Sequence, residues 1–408
     1  MISYIPFFYF CFLTLILFRK RGFDVSVYIS LLYVITSLCS IFMFNLGLVD
    51  NQKSHPSLFA TFTYCLLLTL CIIPVSKLRT KHIELVITKK TERFLTNMTY
   101  VFFTVFSIFI ITSIRDVYAI LISGDFAVLR TELIKDDIGS SESGNIFNII
   151  LNLFTTVSFV MILVFFISIV YFKKKVLFNI MAILSSTTGL LSDIIGISRS
   201  GFFYYTIITG ICLVIFWGRL SRKVKKIVVP LFAALFVGIG VYFSSVTIDR
   251  FSKNYSIGGT KGGLISYAGM PYTNYCYFFD NKPYTGVSTR FLLPFTNYVV
   301  NGYRGGTQRE AEMTNISKLD CVVFMTFLGS FIMDCNQAMP FIYVLLYIWL
   351  LNLCVRNKHG GKISLFWLFV SFFLIIIPSV GCITYFYTSP FKSLSLIVLL
   401  GVVKGHKI

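Results

Sequence analysis

Guanidinium and carboxylate groups placed where a membrane chain has no routine use for them are the first candidates for chemistry. Arg199, Arg250, Arg290, Arg304 and Arg309 are such arginines, and Asp334 and Glu310 are such acids. A guanidinium stays charged and grips phosphate oxygens through paired N–H donors, so arginines gathered at a membrane surface suit a pyrophosphate. Arg199 lies in Ser192-Asp193-Ile-Ile-Gly196-Ile-Ser198-Arg199-Ser200-Gly201, where two apolar stretches meet with almost no linker. Charge held at that depth is costly and reads as functional; snorkelling to lipid phosphates or pairing with Asp193 is the structural alternative. Arg290 follows Ser288-Thr289 and opens the apolar piece 291–300, which would hold it at headgroup depth. Arg250, Arg304 and Arg309 stand among Asp249, Asp280, Glu310 and Glu312, which balance them if the region is only a solvated loop. A carboxylate at Asp334 can serve as a general base, or can cap the helix that follows.

The elements that must position these groups are membrane spans. With 56% hydrophobic and 13% charged residues, the 408-residue chain has about half the charged fraction of a soluble domain. Successive apolar runs long enough for the hydrocarbon layer fix the class as all-α and polytopic. Spans are expected near 2–18, 25–49, 57–75, 98–120, 146–172, 176–197, 201–217, 227–246, 336–355, 363–387 and 391–403, about eleven in all. The connections 19–24, 76–97, 173–175 and 218–226 are basic, whereas 50–56 and 116–145 are neutral or acidic. This alternation is the positive-inside signature, and it puts the N-terminus outside and the C-terminus in the cytoplasm. It also accounts for the net charge of +19 without a nucleic-acid partner, because the basic residues are spread over alternate span ends. The apolar piece 319–333 is too short to cross and is expected to be re-entrant or to lie on the surface.

The whole chain 1–408 therefore reads as one integral membrane domain with two outer elaborations, 116–145 and the large 247–334 stretch. The latter is rich in Gly, Tyr, Asn and Arg, and its tyrosines offer faces on which sugar rings stack or with which helices settle at an interface. Gly258 to Gly263 lacks phosphate-loop spacing and reads as a turn. The ten Cys show no C-x-x-C spacing and the four His are scattered, so neither a disulfide frame nor a metal site is expected. Met1 to Phe18 carries its positive charges after the apolar run and reads as a retained first span.

Taken in order, several of these pieces resemble the Wzy-type polymerases of O-antigen and capsule repeat units. Ser198-Arg199-Ser200 is similar to their Ser-Arg-Thr or Ser-Arg-Ser element. Tyr267-Ala-Gly269-Met-Pro271-Tyr-Thr-Asn274-Tyr resembles the start of their large extracytoplasmic loop. Thr326-Phe-Leu328 with Asp334, preceded by Thr314-Asn315, resembles the loop's T-x-L-x(5)-D-F-G ending, although Cys335-Asn336 stands where the pattern has Phe-Gly. The resemblance implies a GT-C-like, metal-independent glycosyltransferase without a cofactor, in the inner membrane of a bacterium. Its donor and acceptor would both be undecaprenyl-pyrophosphate-linked oligosaccharides, with membrane lipid around it and a chain-length regulator as a further partner. Arg199 and Arg290, helped by Arg250, Arg309 or Arg304, would neutralise the leaving pyrophosphate, and Asp334 or Glu310 would take the acceptor proton. Tyr267, Tyr272 and Asn274 would meet the sugars. An O-antigen ligase, which shares donor and fold but not acceptor, is the nearest rival reading. A lipid-linked oligosaccharide flippase or other transporter is the rival from another class, set back by the absence of repeat-like halves.

Overall fold

The computed structural model describes residues 2–49, 53, 55–78, 84–123, 126, 129, 146–172, 176–198, 200–252, 259–281, 314–315, 319, 326–334, 336–357, 361–386 and 390–405. These are helical almost throughout. Seven helices are long and apolar enough to cross a membrane, or eight if the pair 150–157 and 160–172, bent by 56°, is one broken span. The chain is a polytopic α-helical membrane protein. All eleven expected stretches contain helix, but those at 200–216, 365–380 and 390–405 are shorter than a full span, so the described count falls below eleven. Two compact units emerge, one from Met1–Leu85 with Asn254–Ser393, the other from Val86–Lys253 with Leu394–Ile408.

The first unit begins with α1 (Ile5–Arg21), α2 (Val25–Asn45) and α3 (Leu58–Lys77). Gly22 at φ 63° turns the chain between α1 and α2, and the Asp24 carboxylate caps α2 by accepting from the Val27 amide at 3.1 Å. Phe10 stacks on Tyr33, and Thr14 and Ser30 share a hydrogen bond of 2.7 Å across the pair. Ser57 caps α3 through the Ala60 amide at 3.0 Å. After α3 a two-residue strand β1 (Glu84–Leu85) pairs in parallel with β2 (Lys362–Ile363), which follows α13 (Met339–Arg356) and precedes α14 (Leu365–Val380). In this pairing Glu84 stands opposite Lys362 and Leu85 opposite Ile363.

The 247–334 stretch is where structure and sequence part. It holds a 23-residue helix, α11 (Gly259–Asn281), and an 8-residue helix, α12 (Phe327–Asp334). From Gly262 to Phe279 no residue is charged, yet Gly, Ser, Thr, Tyr and Asn keep the run too polar to pass for a span. Hydropathy gauges fitness for lipid, whereas α11 is faced by protein. It packs along α2 and against α3 and α12, and two of its tyrosine hydroxyls find partners on α3: Tyr272 with Thr61 at 2.8 Å, Tyr275 with Thr63 at 3.2 Å. At its C-terminal end the Asp280 carboxylate accepts from the Ser57 hydroxyl at 2.5 Å and the Ser57 amide at 3.1 Å. The Gln337 amide donates to the Phe279 carbonyl at the same end.

Tyr272 has 2% of its surface exposed and Asn274 none, so both belong to this interior seam. Replacing Tyr272 by Phe should lower stability by about 1 kcal/mol, the usual worth of one hydrogen bond, because Thr61 keeps its bond of 2.9 Å to the Ser57 carbonyl. Thermal unfolding in detergent measures it.

The piece expected to be re-entrant or surface-lying is interior over 326–333. Phe327, Leu328, Phe331, Ile332 and Met333 of α12 are all fully buried. Phe331 stacks on Tyr343 at 4.0 Å and meets Tyr385 edge-on at 5.1 Å, while the Phe327 amide donates to the Gly381 carbonyl at 3.2 Å. Five large apolar side chains in so short a helix leave no polar face to lay against headgroups. Protein cover also satisfies the backbone that lipid would leave bare.

The second unit contains α4 (Lys89–Ser123), α5 (Ile146–Val157), α6 (Val160–Ile167) with a π-helical turn at Ser168–Phe172, α7 (Val176–Ser186), α8 (Thr188–Ile195), α9 (Ser200–Phe216), α10 (Arg222–Ser252) and the larger part of α15 (Pro390–Gly405). At the bend between α5 and α6, the Ser158 hydroxyl donates to the Thr155 carbonyl and accepts from the Gly189 amide at 2.9 Å, so the break is fixed from outside. Phe166 stacks on both Phe216 and Phe232 and ties α6 to α9 and α10. The helix α4 continues to Ser123, so the 116–145 stretch begins as helix.

Candidate functional site

The joint between α8 and α9 carries the Ser198-Arg199-Ser200 element. Arg199 itself lies outside the described residues, but the backbone on both sides of it is defined. α8 ends with the Ile197 amide bonded to the Ile194 carbonyl at 2.9 Å and the Ser198 amide bonded to the Asp193 carbonyl at 2.8 Å. This is the Schellman closure, whose left-handed position normally falls to Gly. Here Ile197 takes it at φ 48°, and Gly196 stands one residue too early. A β-branched residue pays about 1–2 kcal/mol to sit there, and such strain gathers at functional sites.

Burial holds Ile197 in place. It is fully enclosed with Val246 of α10 and Phe126 of the 116–145 stretch, with Ile120, Leu129 and Tyr242 around them. Tyr242 meets the Phe126 ring edge-on at 5.7 Å and donates from its hydroxyl to the Ile194 carbonyl at 3.3 Å. Phe126 thus supplies part of the packing that locks the elbow. Beyond the elbow α9 restarts at once: the Ser198 and Ser200 hydroxyls are 2.8 Å apart and the Ser200 amide points at the Ser198 oxygen.

Arg250 belongs to α10, four residues after Val246 in the chain. Arg290, Arg304, Arg309 and Glu310 lie outside the described residues. Asp334 is the last residue of α12, five positions before α13 begins with Ala338 at its cap. It is therefore not the N-cap of α13. Tyr267, Tyr272 and Asn274 are together on α11, each at least nine-tenths buried.

Asp193 reaches across the elbow. A β-carbon built on Gly201 would fall 1.8 Å from its Oδ2, so Gly201 is open because the carboxylate occupies the space. Gly201→Ala must push Asp193 aside and is expected to cost about 1–3 kcal/mol. In the Asp193→Gly, Gly201→Ala double variant the collision is gone, so the combined loss should be smaller than the two single losses added. Melting temperatures of the four proteins measure that coupling. Neither Phe126 nor the left-handed Ile197 was accessible to motif reading. The one hint was Gly201 directly after the Ser-Arg-Ser element, a small residue eight positions from an acid.

Among the described residues no three His, Cys, Asp or Glu side chains come together as metal ligands. No family model matches the chain, and no curated protein or solved structure matches it.

Proposed function

We propose that this chain polymerises undecaprenyl-pyrophosphate-linked oligosaccharide repeat units at the outer face of a bacterial inner membrane, with its N-terminus outside and its C-terminus in the cytoplasm. The reading rests on the resemblance of the Ser-Arg-Ser, loop-start and loop-end elements. The observation that carries it is the buried, left-handed Ile197, packed with Val246 and Phe126 directly before the Ser-Arg-Ser element. Arg199 and Arg250 would offer guanidinium groups to the diphosphate, whose oxygens accept their paired N–H donors.

In the reaction the acceptor hydroxyl oxygen bonds to the anomeric carbon of the donor glycan. The bond from that carbon to the pyrophosphate oxygen breaks, and its electron pair leaves on the lipid pyrophosphate. The proton passes to the carboxylate of Asp334 or Glu310. Arg199 and Arg250, with Arg290, Arg304 and Arg309 as further donors from the large outer stretch, stabilise the charge as it develops on the leaving group. Tyr272 and Asn274 hold α11 rather than touch the sugar, since both are closed off from solvent.

The purified full chain, supplied with synthetic polyprenyl-pyrophosphate repeats and a metal chelator, should yield a ladder of multiples of the repeat and free lipid pyrophosphate. Transfer only to a lipid A core acceptor would make it a ligase. Passage of labelled substrate across sealed vesicles without lengthening would make it a transporter.

A further inference from the structure

Away from the elbow, the second unit contains a trough of about 460 Å³ formed by α4, α5 and α15. One end is cationic and polar. Lys90, Arg93 and Asn97 line it from α4, at spacings of three and four residues that put them on one helix face, and all three side chains are exposed. Glu92, the acid of that first helical turn, is not among the lining residues. Further along α4 the lining turns apolar with Val101 and Phe102, and Phe102 meets Phe154 of α5 edge-on at 5.3 Å. Val398, Leu399 and Val402 form the α15 wall, again on one helix face, and the Thr156 and Ser395 hydroxyls, 3.2 Å apart, pin that helix to α5.

Length decides what fits. From Lys90 to Phe102 the helix rises about 18 Å. One leaflet of a bilayer is about 15 Å of hydrocarbon with a headgroup layer of several ångströms above it. A groove that begins with two cations and an amide and continues apolar for one leaflet matches a single phospholipid molecule, phosphate at the rim and acyl chain along the floor. A water-borne anion would meet the cations but leave the apolar part empty, and a neutral lipid would leave the cations without a counter-charge.

We infer that this trough is a binding site for an anionic diacyl phospholipid, held by Lys90, Arg93 and Asn97 through its phosphate and by α4, α5 and α15 along its chain. The site is independent of the glycan chemistry, and it stabilises the seat of α15 on the unit. The test is native mass spectrometry of the full chain in neutral detergent, offered equal amounts of dioleoylphosphatidylglycerol and dioleoylphosphatidylcholine. One phosphatidylglycerol should be retained with a preference of roughly tenfold, as two cations beside one anionic headgroup provide. The Lys90→Gln, Arg93→Gln protein should bind the two lipids alike. Leu399→Trp, which fills the apolar floor and leaves both cations, should retain neither. Equal retention of the two lipids by the unaltered chain, a preference that survives loss of both cations, or full retention in Leu399→Trp would each overturn the site. Displacement of the lipid by millimolar inorganic phosphate would overturn it too, by showing that the cations take a free anion.

Discussion

Cells that carry Arg199→Ala in place of the native chain should lose long surface glycans and keep single capped repeats. The expected fall in polymerisation rate is about 10²–10³-fold, the usual cost of removing one charged donor aimed at a developing oxyanion. The residue has no substitute of equal geometry. Lys at this position restores the charge but not the paired donors, so Arg199→Lys should recover only a small part of the activity. The elbow itself should survive either change, because its shape is set by the Ile197 contact, the closure of α8 and the Asp193–Gly201 fit. A melting temperature within a degree or two of the native protein should therefore accompany the loss. Gel profiles of surface glycan with unchanged chain length would remove Arg199 from the chemistry and with it the proposed function.

The second large effect is on stability, and it lies in the other unit. Gly269→Ala on α11 would place a β-carbon 2.8 Å from the backbone of Cys39 and Ser40 on α2. Nothing flexible stands at that point, so the two helices must separate. Overpacking of this kind costs about 1–3 kcal/mol, and the upper end applies when backbone rather than side chain must yield. Gly238→Ala is the control: it lies in α10 with nothing within 4 Å of the added carbon, so it should be neutral or stabilising by about 0.5–1 kcal/mol. Thermal unfolding of the two variants side by side measures the difference. If Gly269→Ala unfolds no earlier than Gly238→Ala, α11 does not pack on α2 as described.

What the sequence by itself determined was the solvent and the places of the helices. Apolar runs of span length have few alternatives to helix in lipid, because backbone groups without water must bond within their own segment. Capping is local in the same way: Asp24 before α2 and Ser57 before α3 act within a turn of themselves. The arginine of the Ser-Arg-Ser element stood out as charge at a joint, which is also a local property.

Only the tertiary structure decided which polar segments are interior. α11 reads as loop because its Tyr, Thr, Asn and Gly lower its hydropathy, yet those residues are what a helix needs when its neighbours are α2 and α3 and not acyl chains. The burial of α12 depends on Tyr343, Tyr385 and Gly381, which are distant in sequence. Ile197 shows the limit most plainly. Local preference assigns its conformation to Gly196, and the choice is reversed by Val246 and Phe126, two side chains about 50 and 70 positions away in the chain, whose contact outweighs about 1–2 kcal/mol of backbone strain. A one-dimensional pattern records what each residue prefers; burial by remote partners decides when that preference is overruled.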